Sequence, residues 1–346
     1  MLRLTDELKK DPKRRISAGV IGYGGAFNMG RLHLTSMARN RRMEVAAVCE
    51  LDPERRAVAE EDFPGIKTYG SVGQMLRNAD LDLVTIITPH NTHAKLAVQC
   101  LEAGVNVVCE KPLAITSAEV EKMMAAAKKR KVMISTFHNR RWDGDFVTLR
   151  DLIRKEKIIG RVFRIEAGFS GYGEQGTWWR SSKKVSGGAI YDWGAHFTDW
   201  ILNIVTDPID WVSGYQVKNK AWNKYDNEDH SEYTLRFKGG CTVTLWMSNL
   251  SMSGRPRWRV LGERGSIVDV GGKFEVKTLV NGRQMSTEVG FNESNWDAYY
   301  ENVYRHLLGR AKLVITPESA GRVIGVLEAA NLSAVRGSQP VKPAFA

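Results

Sequence analysis

Long apolar runs, paired cysteines, internal repeats and a charge-segregated tail are all missing from this 346-residue chain. No stretch approaches the ~18 apolar residues that a membrane span requires, and the opening MLRLTDELKKDPKRR has no hydrophobic signal core, so a cytoplasmic protein with no membrane partner is expected. Cysteine is scarce. Cys49, Cys100, Cys109 and Cys241 sit in apolar or strand-like surroundings without a CxxC pair, which excludes a disulfide scaffold and suits reduced thiols used as small hydrophobes. Acidic residues are outnumbered, 39 against 50 Lys and Arg, for a net charge of +11. The excess is spread along the chain rather than gathered into a nucleic-acid patch. Its densest runs are Lys9 to Arg15 and Lys128 to Lys131, and the second closes a predicted helix, where cations complement the negative end of the dipole. No nucleic-acid partner is expected.

What is present is an ordinary globular composition, 43% hydrophobic and 26% charged. At roughly 100 to 200 residues per domain the length suggests two domains. The first third alternates strand and helix: Ser17 to Gly22, Glu44 to Glu50, Leu81 to Thr88, Val105 to Glu110 and Val132 to Phe137 read as strands. Helices are predicted over Met29 to Asn40, Pro53 to Asp62, Asn91 to Ala103 and Ser117 to Lys129. Buried β-branched runs separated by amphipathic helices imply an α/β, doubly wound parallel sheet of the Rossmann type. Beyond about Arg140 hairpin signals take over, with Gly239-Gly240 and Asn281-Gly282 between alternating strands, and helices are predicted over Asn295 to Leu308 and Pro317 to Ala334. The pattern therefore predicts a dinucleotide-binding domain over 1–138, with 1–15 as a basic arm, and an α+β domain over 139–346 with a largely antiparallel open sheet.

Three clusters carry chemistry. The first follows the opening strand: Gly22, Gly24 and Gly25, with Ala26, Phe27 and Asn28 completing the turn, let the backbone approach a pyrophosphate at the start of the next helix. Phe27 stands where a third glycine is usual, and Gly30 comes three residues late. Glu50, ending the second strand, suits adenosine ribose hydroxyls and repels a 2′-phosphate, which favours NAD over NADP; Arg55 and Arg56 pull the other way. The second cluster lies at strand carboxyl ends, the ligand-binding edge of open α/β sheets: Thr88, Pro89 and His93 at one, Glu110 and Lys111 at another. Lys111 either polarises a reacting oxygen or simply pairs with Glu110, and position alone does not choose. The third cluster is Gly187 to Asp199. If helical, it puts Asp192, His196 and Asp199 on one face, where an imidazole can take a hydroxyl proton and a carboxylate can orient it. No HExxH or cysteine partner accompanies that face, so no metal is expected.

These motifs together resemble the Gfo/Idh/MocA family of NAD(P)-dependent sugar and inositol dehydrogenases. The likeness runs through the glycine loop at Gly22, Thr88 to His93, the stretch Ala103 to Pro112, the GGxxxDxGxHxxD stretch at Gly187 to Asp199, and the closing Thr316 to Gly337. It implies a dehydrogenase or reductase acting on a secondary alcohol of a sugar, cyclitol or related polyol. Lys111 then contacts the reacting hydroxyl and the nicotinamide ribose, His196 is the general acid/base, and Asp192 positions substrate and histidine. It further implies that the segment Tyr172 to Arg180 lines the substrate pocket, where Trp178 and Trp179 can face sugar C–H groups and Arg180, Arg140 and His138 can meet hydroxyls or a carboxylate; for any one of them, tryptophan as core and arginine as surface is the equal alternative. A homodimer or homotetramer is implied too. Some relatives are glycosidases that oxidise transiently and eliminate, and a few are non-catalytic dinucleotide-sensing regulators.

Overall fold

The computed structural model describes residues 3–11 and 14–346, so Pro12 and Lys13 of the basic run, like Met1 and Leu2, lie outside the described residues. The chain forms two compact units: the first takes in residues up to 114, 118–137 and 297–320, the second 115–117, 138–296 and 321–346. The sequence pattern draws a single boundary at 138/139. The chain instead gives residues 297–320 back to the first unit, a return that local periodicity cannot signal.

The elements run α1 (Arg3–Lys10), β1 (Ile16–Ile21), α2 (Met29–Arg39), β2 (Met43–Cys49), α3 (Pro53–Asp62), β3 (Lys67–Tyr69), α4 (Val72–Asn78), β4 (Leu83–Ile86), α5 (His93–Glu102), β5 (Asn106–Cys109), α6 (Ser117–Arg130) and β6 (Ile134–Thr136). They continue with α7 (Gly144–Arg154), β7 (Val162–Ser170), α8 (Lys183–Ser186), α9 (Trp193–Ile204), β8 (Ile209–Val217), β9 (His230–Phe237), β10 (Thr242–Ser248), β11 (Trp258–Gly262), β12 (Gly265–Asp269), β13 (Lys273–Val280), β14 (Arg283–Gly290), α10 (Ala298–Leu307) and α11 (Pro317–Val335).

In the first unit β4 (LVTI) and β5 (NVVC) are buried at every position, as strands covered on both faces must be. The sheet is parallel throughout, in the order β3-β2-β1-β4-β5-β6. That order reverses between β1 and β4, which opens a ligand crevice at their carboxyl ends. The short β3 and α4 escape the sequence pattern because three residues show no period and α4 buries only Met75. Within the basic N-terminal segment, Arg3–Lys10 is helical. In α1, Leu4 and Leu8 fall one turn apart and are buried, and the Thr5 hydroxyl donates to the Leu307 carbonyl (2.7 Å).

The second unit is built on an eight-stranded sheet in the order β14-β13-β12-β11-β7-β10-β9-β8. All its pairs are antiparallel except β7 with β10. Both glycine turns join hairpins, and at the second Asn281 (φ 49) and Gly282 (φ 77) both take the left-handed conformation that a tight two-residue turn demands. Helix α9 is apolar nearly all round and packs on β7 and β10. Phe197 and Trp200 meet Trp258 of β11 at ring-centroid distances of 5.7 and 5.5 Å, and Phe146 of α7 stacks on Trp200. All four cysteines are buried thiols, and burial raises that of Cys100 to about 12. Among the described residues no helix is long and apolar enough to cross a membrane.

Candidate active site

The dinucleotide edge begins where β1 gives way to Gly22. With φ +102, and with the Ile87 carbonyl oxygen only 2.1 Å from where a Cβ would sit, this position accepts glycine alone. Gly30 supplies the close approach that Phe27 cannot. It is buried in the first turn of α2, and a Cβ there would lie 2.6 Å from the Tyr23 ring and 2.9 Å from the Gly22 carbonyl oxygen. The extra residues of the lengthened loop, Gly24 to Asn28, are pushed outward and exposed. A Cβ on Gly24 would meet no atom within 4 Å, so the loop presents open backbone at the start of a helix with no acidic residue in its first turn. Those features fit a dinucleotide pyrophosphate, held by loop amides and by the positive end of α2.

Glu50 braces this loop: its carboxylate accepts the Tyr23 amide (2.6 Å) and the Asp52 amide (3.1 Å), and each oxygen retains a lone pair for a ribose hydroxyl. The two arginines behind it differ. Arg56 is held to the Glu50 and Leu51 carbonyls, whereas Arg55 donates to the Tyr23 carbonyl (2.9 Å) and lies beside Gly25.

At the carboxyl end of β4 the Thr88 and Thr92 hydroxyls meet at 2.6 Å, with Thr92 donating to the Pro89 carbonyl. His93 is fully buried, Nε2 2.8 Å from the Thr88 carbonyl oxygen and Nδ1 2.8 Å from that of Pro112. Only a protonated ring donates to both, and complete burial opposes that charge, holding its pKa below the usual imidazole value. His93 thus fastens the loop after β4 to the turn at Lys111. The Glu110 carboxylate turns inward, to His33 Nε2 (3.0 Å) and to the Lys111 amide (2.9 Å). Burial alone would raise its pKa, but the His33 hydrogen bond and the neighbouring charges leave it lowered. Lys111 follows, half-buried, on a cis peptide bond to Pro112.

The second unit carries the imidazole. His196 lies in α9, 5% exposed, with its ring 5.6 Å from Trp193, 6.3 Å from Trp200 and 6.0 Å from the buried His138. Asp192 is the residue at which the helix starts, and both of its oxygens lie 3.3 Å from Arg180. Arg180 in turn sits over the Trp178 and Trp179 rings at 5.2 and 5.1 Å. Arg140 is sandwiched between Trp193 (4.6 Å) and Trp296 (5.3 Å) and pairs with Asp143 at 2.9 Å. Burial raises the Asp143 pKa against the pull of the Trp296 N–H and Arg140. Tyr172 is exposed and stands edge-on to Trp222.

The helical spacing groups Asp199 with Asp192 and His196, but the structure does not. Asp199 is buried in a two-pronged pair with Arg141 (2.8 and 2.6 Å), which locks α9 to the turn at 139–142. The sequence pattern also passes over a polar run, Asp226 to Asp229, that holds the entry to α9. Asn227 donates to the Arg180 carbonyl and to Ser186, while Glu228 accepts the Ala189 amide (3.0 Å) and pairs with Lys183. In sequence these residues look like any loop between strands. Among the described residues no group of three or more His, Cys, Asp or Glu is placed to hold a metal.

A six-stranded parallel sheet, a second unit on a largely antiparallel sheet and an imidazole-bearing helix define a two-unit α/β protein. Residues 16–138 match the family described as "Oxidoreductase family, NAD-binding Rossmann fold", and residues 146–268 match the "GFO/IDH/MocA C-terminal domain". The chain belongs to the Gfo/Idh/MocA oxidoreductase family. It is 30% identical to "Uncharacterized oxidoreductase YdgJ" of Escherichia coli over 79% of this chain and 76% of that protein. It is 24% identical to "scyllo-inositol 2-dehydrogenase (NADP(+)) IolW" of Bacillus subtilis over 91% and 92% of the two chains. A solved NAD-binding protein from Listeria innocua superposes with a TM-score of 0.83 at 27% identity, over 95% of this chain and 97% of that one.

Proposed function

We propose that this oxidoreductase is a dehydrogenase or reductase acting on a secondary alcohol of a sugar, cyclitol or related polyol, with Lys111, Asp192 and His196 as its catalytic residues. The observation that carries the proposal is His196, an imidazole set among Trp193, Trp200 and His138 on the helix that Asp192 opens. A bound nicotinamide supplies the two-electron acceptor or donor. His196 takes the hydroxyl proton in oxidation and returns it in reduction. Asp192, steadied by Arg180, orients substrate and imidazole. The Lys111 ammonium stabilises negative charge developing on the reacting oxygen. The aromatic rings exclude water and offer flat faces to the C–H groups of a polyol ring. An inositol dehydrogenase among the relatives supports this substrate class.

NAD is the cofactor favoured by Glu50, whose carboxylate repels a 2′-phosphate; Arg55, beside the loop, softens that preference. The test is absorbance at 340 nm with NAD and, separately, NADP across inositols, aldoses, uronates and glycosides. A signal with one polyol class names substrate and cofactor together. Aglycone release with no net reduced cofactor would move the assignment to oxidation-dependent glycoside cleavage. Lys111→Ala and His196→Ala should each lower turnover by about 10² to 10⁴ while NAD still binds by calorimetry. Near-normal turnover in both would sink the proposal.

A further inference from the structure

Behind the Lys111 turn lies a chain of buried polar groups that the reaction itself does not use. His33 belongs to α2, the helix that follows the glycine loop, and is completely buried. Its Nε2 is 3.0 Å from Glu110 Oε1, its Nδ1 is 2.7 Å from the Tyr300 hydroxyl, and that hydroxyl is 2.9 Å from Thr85 Oγ1. Thr85 lies in β4 and Tyr300 in α10, so three elements converge on one carboxylate. All three side chains other than Glu110 are at 0% exposure, and Glu110 itself is at 9%.

A carboxylate only accepts, so His33 Nε2–H donates to Glu110. With the ring neutral, Nδ1 accepts from the Tyr300 O–H, and the Tyr300 oxygen is then left to accept from Thr85. Every donor is used once, and the far oxygen of the carboxylate receives the Lys111 amide at 2.9 Å. Without this support Glu110 would be a buried carboxylate free to rotate, and the Lys111 amide would then lose its acceptor.

We propose that His33, Tyr300 and Thr85 are positioning residues. They hold Glu110 in the one orientation that fixes the Lys111 main chain, and they couple the helix of the dinucleotide loop to the turn bearing the catalytic lysine. The inference rests on the proposed role of Lys111 in the reaction.

Its test reads the Lys111 amide directly, in the whole protein without cofactor, by hydrogen exchange; Pro112, next in the chain, has no N–H to confuse it. Tyr300→Phe and His33→Leu should speed that exchange about tenfold or more, since a buried acceptor has been released. His33→Gln, whose amide N–H reaches toward Glu110, should restore most of the protection, which no packing role would do because leucine is the more apolar replacement. Turnover on the polyol giving the largest 340 nm signal should fall by about tenfold in the first two variants, with the dinucleotide KM within about twofold, as misplacement of one reacting group predicts. Unchanged exchange at Lys111 in both variants overturns the proposal. So does equal acceleration at Val107 and Val108, which would mark general loosening of β5. Should His33→Leu not fold, Thr85→Val removes the last donor of the chain and carries the same comparison. Normal turnover in Lys111→Ala, with the exchange result intact, would remove the functional assignment and leave the positioning standing.

Discussion

At the scale of single residues, the site depends on positions where one atom more or one charge less is not tolerated. Gly30→Ala would push a methyl to within 2.6 Å of the Tyr23 ring, so loop and helix must separate. Overpacking of this kind costs about 1–3 kcal/mol, and calorimetry should show NAD binding weakened by about tenfold or more. The Arg141–Asp199 pair tests charge instead. Burial alone would raise the Asp199 pKa, but the charges of Arg141 and His138 outweigh it and hold it below the ordinary carboxylate value. A depressed folded-state pKa contributes stability that is present above the unfolded value, about 3.9, and lost as pH falls through the folded one. Asp199→Asn should therefore destabilise by about 3–5 kcal/mol at neutral pH, leaving a buried guanidinium without its counter-ion. Urea denaturation should also show a shallower loss of stability below pH 4 or so than in the parent protein. Equal acid limbs in the two proteins would mean that Asp199 does not carry this charge coupling.

At the scale of elements, α9 is only as well aimed as the segment that enters it. That segment is tied by Glu228 to the Ala189 amide and by Asn227 to the Arg180 carbonyl. Glu228→Ala removes the acceptor of a backbone amide and the partner of Lys183. Exchange over residues 183–192 should rise about tenfold or more, with kcat/KM falling, while the amides of β9 and β10 keep their protection. A uniform rise through the sheet would show that Glu228 supports the whole unit. The helices and strands themselves were largely legible in sequence: the two glycine hairpins and five strands of the parallel sheet follow from apolar period and turn residues. What supports α9 was not, since Asn227 and Glu228 meet their partners across 30 residues or more of chain.

At the scale of the whole molecule, the first unit is not a contiguous stretch. Helix α10 returns from far along the chain to place Tyr299 against Phe137, at a ring-centroid distance of 4.8 Å, and Tyr300 against His33. The Tyr299 hydroxyl donates to Ser135 (3.0 Å), and Ser135 donates to the Ile315 carbonyl (2.8 Å). A fragment ending near residue 145 would expose this apolar and polar surface together. It should fail to give a cooperative urea transition, whereas the same fragment joined by a flexible linker to residues 297–320 should give one. A cooperative transition in the short fragment would show that α10 is dispensable.

The sequence by itself determined the class of the protein. Buried β-branched runs, a glycine loop after the first strand and the Gly187 to Asp199 stretch are local patterns, and backbone sterics and apolar period act locally. Only the tertiary structure decided the partners of the charged groups. Asp199 went to Arg141 rather than to His196, Glu110 to His33, His93 to two carbonyls, and Gly30 took the place that Phe27 could not fill. Tyr300 reaches His33 across 267 residues of chain. A buried polar group is satisfied by whatever the fold brings beside it, and sequence spacing does not encode that neighbour.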